Sequence, residues 1–170
     1  MGKISKIIIH CSDSDFGTAI TIDGWHRAQG WKKIGYAGVI LNGQIKHDFF
    51  DPLSDGAWEW GRAVDSDPYI EPDEIGSHVL GLNSSAVGIC LIGKTVFSKA
   101  QYETAKLRIS SMMEKWGLTS KDVLGHYEVD KHGKTCPNIL MDFFRKYLDN
   151  KIGVLQLQSE CRISKLNRGI

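Results

Sequence analysis

Ile4-Ser5-Lys6-Ile7-Ile8-Ile9-His10-Cys11-Ser12-Asp13-Ser14-Asp15 is the stretch on which the reading of the chain turns. Its β-branched run is short and a polar cluster ends it, so residues 4–10 read as a buried strand that delivers His10 at its end. A second apolar run, Ala86-Val87-Gly88-Ile89-Cys90-Leu91-Ile92, is nearly continuous and reads as a central strand, buried on both faces. Around these two, periodicity supplies the other elements. Residues 98–116 carry Tyr102, Ala105, Ile109, Met112, Met113 and Trp116 at three- and four-residue spacing, and Gly117 ends this amphipathic helix. Residues 21–30 read as a helix capped by Thr21, with Asp23 in its first turn and Gly30 as its stop. Asn42-Gly43 lies between the candidate strands 36–41 and 44–48 and predicts a hairpin turn. Residues 123–126 read as a short strand ending in His126, and residues 139–148 as a final helix after Pro137. Strands alternating with helices give an α/β fold: one domain with a central mixed sheet flanked by helices.

The chain of 170 residues is long enough for one well-packed core. With 21 Lys and Arg against 20 Asp and Glu, the net charge is +1. That balance excludes a design for binding nucleic acid through global charge. No segment is apolar enough to predict membrane insertion, and Ile7-Ile8-Ile9 is too short for the apolar region of a signal peptide. Synthesis in the cytoplasm is the expectation. The widely spaced Cys11, Cys90, Cys136 and Cys161 suit buried thiols or a metal ligand better than a disulfide framework.

Two regions stand apart. Between residues 48 and 74 the acidic side chains Asp48, Asp51, Asp55, Glu59, Asp65, Asp67, Glu71, Asp73 and Glu74 face a single basic one, Arg62. Pro52, Pro68 and Pro72 lie there too, with Trp58 and Trp60, so a long irregular loop is expected. Residues 151–170 form a basic tail that is not a domain of its own, beyond a catalytic domain at residues 1–150. Such a tail is expected to fray or to dock on the domain.

Three side chains combine into a chemical hypothesis. His10 and His126 end strands, where a side chain projects into a cleft, and Cys136 follows His126 by ten residues. Two imidazoles and a thiolate form a three-ligand set for one Zn²⁺, leaving a fourth position for water. Such a site suits amide hydrolysis. Lys134 precedes Cys136 by two, so in an extended segment both side chains point the same way, and its cation can stabilise an oxyanion. Spacing alone leaves the plainer reading open: histidines end strands without metals, and a buried cysteine often acts as a small hydrophobe.

A series of ordered segments adds a resemblance. Ile8-Ile9-His10-Cys11-Ser12 resembles the opening strand of the type 2 amidase and peptidoglycan recognition protein family, which includes small phage lysozymes of amidase specificity. The likeness continues through Trp25-His26-Arg27-Ala28-Gln29-Gly30-Trp31 and Ile34-Gly35-Tyr36, then Ile75-Gly76-Ser77-His78-Val79-Leu80-Gly81-Leu82-Asn83 and Ser85-Ala86-Val87-Gly88-Ile89-Cys90-Leu91. It closes with Gly125-His126-Tyr127-Glu128-Val129 and Gly133-Lys134-Thr135-Cys136-Pro137, in the family's order, over residues 7–148. The resemblance implies a zinc site in a groove at the sheet rim, with His10, His126 and Cys136 as ligands. It implies that Tyr36 orients the attacking water and that Lys134 steadies the developing negative charge. The activity implied is hydrolysis of the amide between N-acetylmuramic acid and L-alanine in peptidoglycan, by a monomeric, endolysin-like enzyme that reaches the wall after release. Alternatives are a recognition module that binds peptidoglycan without cutting it, a recycling amidase acting on soluble muropeptides, and a structural metal. Some phage members of the family also bind RNA polymerase, although no segment of this chain marks such a surface.

This sequence departs from the family where Tyr36 is followed by Ala37 and Gly38, which predicts looser packing rather than lost catalysis. Substrate contacts are expected from His78 and Asn83, although His78 can equally order its loop. Trp58 and Trp60 either stack on sugar rings or pin their segment to the domain. Cys11 is expected to face the core, Cys90 to be structural, His26 to serve packing or lie at the surface, and His47 and His132 to be exposed.

Overall fold

The computed structural model describes residues 2–168. In chain order the elements are β1 (Gly2–Lys3), β2 (Lys6–Cys11), α1 (Ala19–Ala28), β3 (Gly38–Lys46), β4 (Phe49–Trp60), β5 (Tyr69–Ile70) and β6 (Ala86–Leu91), followed by α2 (Lys99–Trp116), a 3-10 turn (Ser120–Asp122), β7 (Val123–Gly125), α3 (His126–Val129), α4 (Met141–Leu148) and α5 (Val154–Arg168). The main sheet has the order β4-β3-β6-β2-β7, with β1 and β5 forming a separate pair. β6 runs parallel to β2 and β3, β7 runs parallel to β2, and β4 alone is antiparallel, so the sheet is mixed.

Alternation along the strands divides the core into two layers. Ile7, Ile9, Ile89 and Leu91 point toward α2, α4 and α5, where Ile109, Phe144 and Leu157 are buried. Val39, Leu41, Cys90 and Ile92 point the other way, against Ile22 of α1. Every residue of β6 is buried, which explains its unbroken apolar run. Helix α2 has Ser98 and Gln101 in a reciprocal cap, and it ends as expected at Gly117, which is in the left-handed conformation at φ 67°.

Several expectations change. Asn42-Gly43 is not a turn: β3 runs straight through it, and β4 begins after His47-Asp48. The positive φ of Gly43, 82°, serves an irregular β3–β4 register instead. Asn42 holds that shape, its Oδ1 accepting from the Gln44 N–H and its Nδ2 donating to the Asp15 carbonyl. Helix α1 starts earlier than expected, because Thr18 rather than Thr21 is its cap, accepting from the Thr21 N–H at 3.2 Å.

The acidic stretch is not one long loop, since its first half is strand β4. Its carboxylates hold backbone in place: Glu59 accepts from the Ala19 N–H at the start of α1 at 2.6 Å, and Asp65, Asp67 and Glu74 accept backbone N–H groups of their own loop. Residues 139–148 do not hold the final helix. α5 follows α4 and buries Leu157 and Cys161 against the sheet-facing helices. Arg162 of the basic tail is exposed, while the side chains of Lys165 and Arg168 lie outside the described residues.

Candidate active site

The parallel strands place the site. β2 and β7 pair with Ile9 opposite Gly125, so the next residues, His10 and His126, emerge side by side at the carboxyl rim of the sheet. Crevices in open α/β sheets lie at this rim. His126 does not end its strand as expected; it is the first residue of the short helix α3. The return loop brings Cys136 back to it, with the Tyr127 N–H donating to the Cys136 carbonyl at 2.8 Å. Asp130 Oδ2 accepts from the N–H groups of His132 and Lys134 and folds the loop on itself.

The ligand atoms of His10, His126 and Cys136 all lie within 4.8 Å of one another. The His10 and His126 ring centres are 4.6 Å apart, and His10 Nδ1 is 3.8 Å from Cys136 Sγ. A tetrahedral zinc site has ligand–ligand edges of roughly 3.3–3.6 Å, so this cluster is close to that size and can hold a metal ion. Among the described residues it is the one such group. His132 is exposed and outside it.

The electrostatics suit a cation. Burial, then His78 and His126, lowers the pKa of His10, and burial followed by the Lys134 charge lowers that of His126. Both imidazoles are therefore neutral near pH 7, as a metal ligand must be. The Cys136 thiol is raised by its hydrogen bond with the Cys11 thiol, then by burial, so a cation binding there displaces a proton. The Cys11 backbone N–H donates to Cys136 Sγ at 3.2 Å and so favours the thiolate.

Tyr36 stands 4.9 Å from His10 between ring centres. Burial, then nearby thiols, raises its pKa well above the ordinary phenol value, which keeps the hydroxyl a donor. Lys134 lines the groove, and its charge acts on both His10 and His126. The groove is open to solvent, has a volume of about 440 Å³ and is also lined by Asp13, Trp31, Ser77 and Asn138.

The remaining expected residues separate. His78 reaches the cluster but is only 8% exposed. Asn83 holds the loop rather than lining the groove: its Oδ1 accepts from the N–H groups of His78 and Val79 at 2.9 and 2.8 Å. Trp58 packs on the α2 side of the sheet with the Arg108 guanidinium 5.3 Å from its ring, and Trp60 is exposed beside it at 5.4 Å. Neither lines the groove. Sequence reasoning missed Trp31, which does. It was legible only as part of the segment 25–31, whose helical spacing pointed to packing. His26 is buried and packs as expected, its Nδ1 accepting from the Gly35 N–H at 3.0 Å and its ring 4.4 Å from Trp31. Arg62 is buried as well and donates to the carbonyls of Lys33, Ile34 and Asp73, tying together the two segments that lead to Tyr36 and His78. Cys11 and Cys90 are buried in the two core layers, and Ala37, small as it is, is buried beside a narrow cleft under His78.

The family profile described as N-acetylmuramoyl-L-alanine amidase matches residues 1–139. The chain belongs to this amidase family. The amidase is similar to the endolysin of Klebsiella phage KP32, with 30% identity over 148 residues covering 80% of this chain and 82% of the relative. It is also similar to the endolysin of Escherichia phage T7, with 26% identity over 78% of this chain and 79% of the relative. Its fold superimposes on N-acetylmuramoyl-L-alanine amidase LysC from Clostridium intestinale URNW with a TM-score of 0.68 at 23% identity, covering 87% of each chain. Drosophila PGRP-LB shares the fold at a TM-score of 0.60 and 24% identity, over 81% of this chain and 76% of its own. The amidase is thus a peptidoglycan-directed hydrolase of the N-acetylmuramoyl-L-alanine type.

Proposed function

We propose that the amidase works as a zinc hydrolase, with one Zn²⁺ per chain held by His10, His126 and Cys136. The observation that carries this reading is the convergence of those three side chains with Tyr36 and Lys134 in one groove. When bound, Zn²⁺ supplies Lewis acidity and the means to ionise a water near neutral pH. Around it, the protein's own groups divide the remaining work. The Tyr36 hydroxyl, kept protonated, orients the attacking water and relays a proton from that water to the departing amine, ending the step protonated as it began. The Lys134 ammonium lines the same groove, and its role in this reading is to stabilise the negative charge that the carbonyl oxygen of the lactyl group gains in the tetrahedral intermediate. His10 and His126 stay neutral and fixed throughout.

The substrate we assign is the polymeric wall, because two of the similar proteins are phage endolysins; the enzyme is made in the cytoplasm and meets the wall after release. Trp31 is 37% exposed at the groove and offers an aromatic face to a sugar ring. All these residues come from one chain, so a monomer carries a complete site.

Variants test the division of roles. Cys136→Ala loses zinc and lytic activity together. Tyr36→Phe keeps its zinc while kcat falls about 10²–10⁴-fold, the usual worth of a positioned proton-transfer group. Loss of metal from Tyr36→Phe, or full activity in Cys136→Ala, contradicts the assignment.

A further inference from the structure

His78 was expected to touch substrate or to order its loop, and its surroundings suit neither role alone. The imidazole sits in a slot made for it. A Cβ added to Gly88 would stand 2.8 Å from its Cγ, and one added to Gly76 would stand 2.9 Å from its Cδ2. Both ring nitrogens are engaged inside the protein: Nε2 is 3.1 Å from the Ala86 carbonyl, and Nδ1 is 3.2 Å from His10 Nε2. The rings of His10 and His78 are perpendicular, 5.3 Å apart, which aims the edge of one at the edge of the other.

The Ala86 carbonyl can only accept, so the neutral His78 ring carries its proton on Nε2 and presents a lone pair at Nδ1. A lone pair facing His10 Nε2 requires a proton there. His10 is then the Nε2–H tautomer, and its free lone pair is on Nδ1, the atom on the Cys136 side of the ring. The opposite tautomer would put two lone pairs face to face in a buried space and turn an N–H toward Cys136.

We propose that His78 is a positioning residue for the metal: with the Ala86 carbonyl behind it, it fixes both the tautomer and the orientation of His10, so that Nδ1 is the ligand atom. This inference rests on the zinc reading above and deepens it by assigning a role to a residue outside the ligand set. It explains why a histidine is buried beside the cluster without joining it: His78 has no nitrogen free. Partners of this kind set ligand basicity and geometry, and their loss typically weakens metal affinity about 10–100-fold.

Two readings test it on the full chain. In the zinc-free protein, long-range ¹⁵N–¹H NMR correlation shows His10 as the Nε2–H tautomer and His78 likewise; a His10 proton on Nδ1 overturns the proposal without any variant being made. The second reading is zinc affinity by competition with a chromophoric chelator, in the absence of substrate. His78→Phe fills the slot but has no acceptor, and its zinc dissociation constant rises about 10–100-fold. His78→Asn retains an acceptor at the Nδ1 place and stays within a few-fold of the parent. Parental affinity in a folded His78→Phe overturns the proposal, as does equal loss in both variants, the mark of a merely structural role. A parent that binds no zinc would sink the zinc reading itself, and the tautomer spectrum would still decide this one.

Discussion

At the scale of single residues, the neutral histidines under the rim link the site to stability. The pKa of His78 is lowered to about 4 from an ordinary 6.5 by burial, with the Ala86 carbonyl opposing and His126 adding to the effect. His10 and His26 are lowered in the same direction by burial. Below pH 6.5 the unfolded chain therefore binds more protons than the folded one, and stability falls as the pH is lowered. A tenfold difference in proton affinity corresponds to about 1.4 kcal/mol, so His78 alone withdraws roughly 3 kcal/mol as pH drops from 6.5 to 4. Urea titrations of the chelated protein at a series of pH values should show stability falling as the pH is lowered through that window. A midpoint that held steady down to pH 4 would contradict the burial assigned to these rings. The grouping of His10, His126 and Cys136 was legible in sequence chiefly through the ordered resemblance to the family, since spacing alone leaves the plainer reading open. The role of His78 was not, since its contact with His10 joins segments 68 residues apart in the chain. For Trp58 and Trp60 the sequence allows both stacking on sugars and pinning of their segment, because only the register of β4 turns Trp58 onto Arg108.

At the scale of elements, local signals succeeded where one element determines its own ends. Ser98, Gln101 and Gly117 bound α2 through contacts within four residues of each terminus. Asn42-Gly43 failed because a glycine at positive φ serves a bulge as well as a turn, and the choice fell to the Asn42 side chain reaching Asp15. Helix α5 was hidden because, among its described side chains, the buried ones, Leu157 and Cys161, are few among polar neighbours; both pack into the core. Leu157 is fully buried against the same core as Phe144 and Ile109. Leu157→Ala should therefore cost about 2–5 kcal/mol, read as a lowered midpoint in denaturant with the slope unchanged. A change below about 0.5 kcal/mol, typical of a surface position, would mean that α5 does not seal the core.

At the scale of the whole molecule, the fold explains why the chemistry collects where it does. In the parallel neighbours β2 and β7 the register places Ile9 beside Gly125, so the next residues set two imidazoles side by side, their ring centres 4.6 Å apart. The returning loop adds Cys136 and Lys134, and the segment before β3 adds Tyr36. An amide hydrolase needs such a convergence of ligands, donor and cation, and membership of the N-acetylmuramoyl-L-alanine amidase family says which amide it meets. The decisive measurement is digestion of purified peptidoglycan sacculi followed by mass spectrometry, with chelator and zinc add-back. Released stem peptides bearing a free L-alanine amino terminus, lost on chelation and restored by zinc, are the expected result. Folded, zinc-loaded protein that binds sacculi and releases no such peptide would contradict the account.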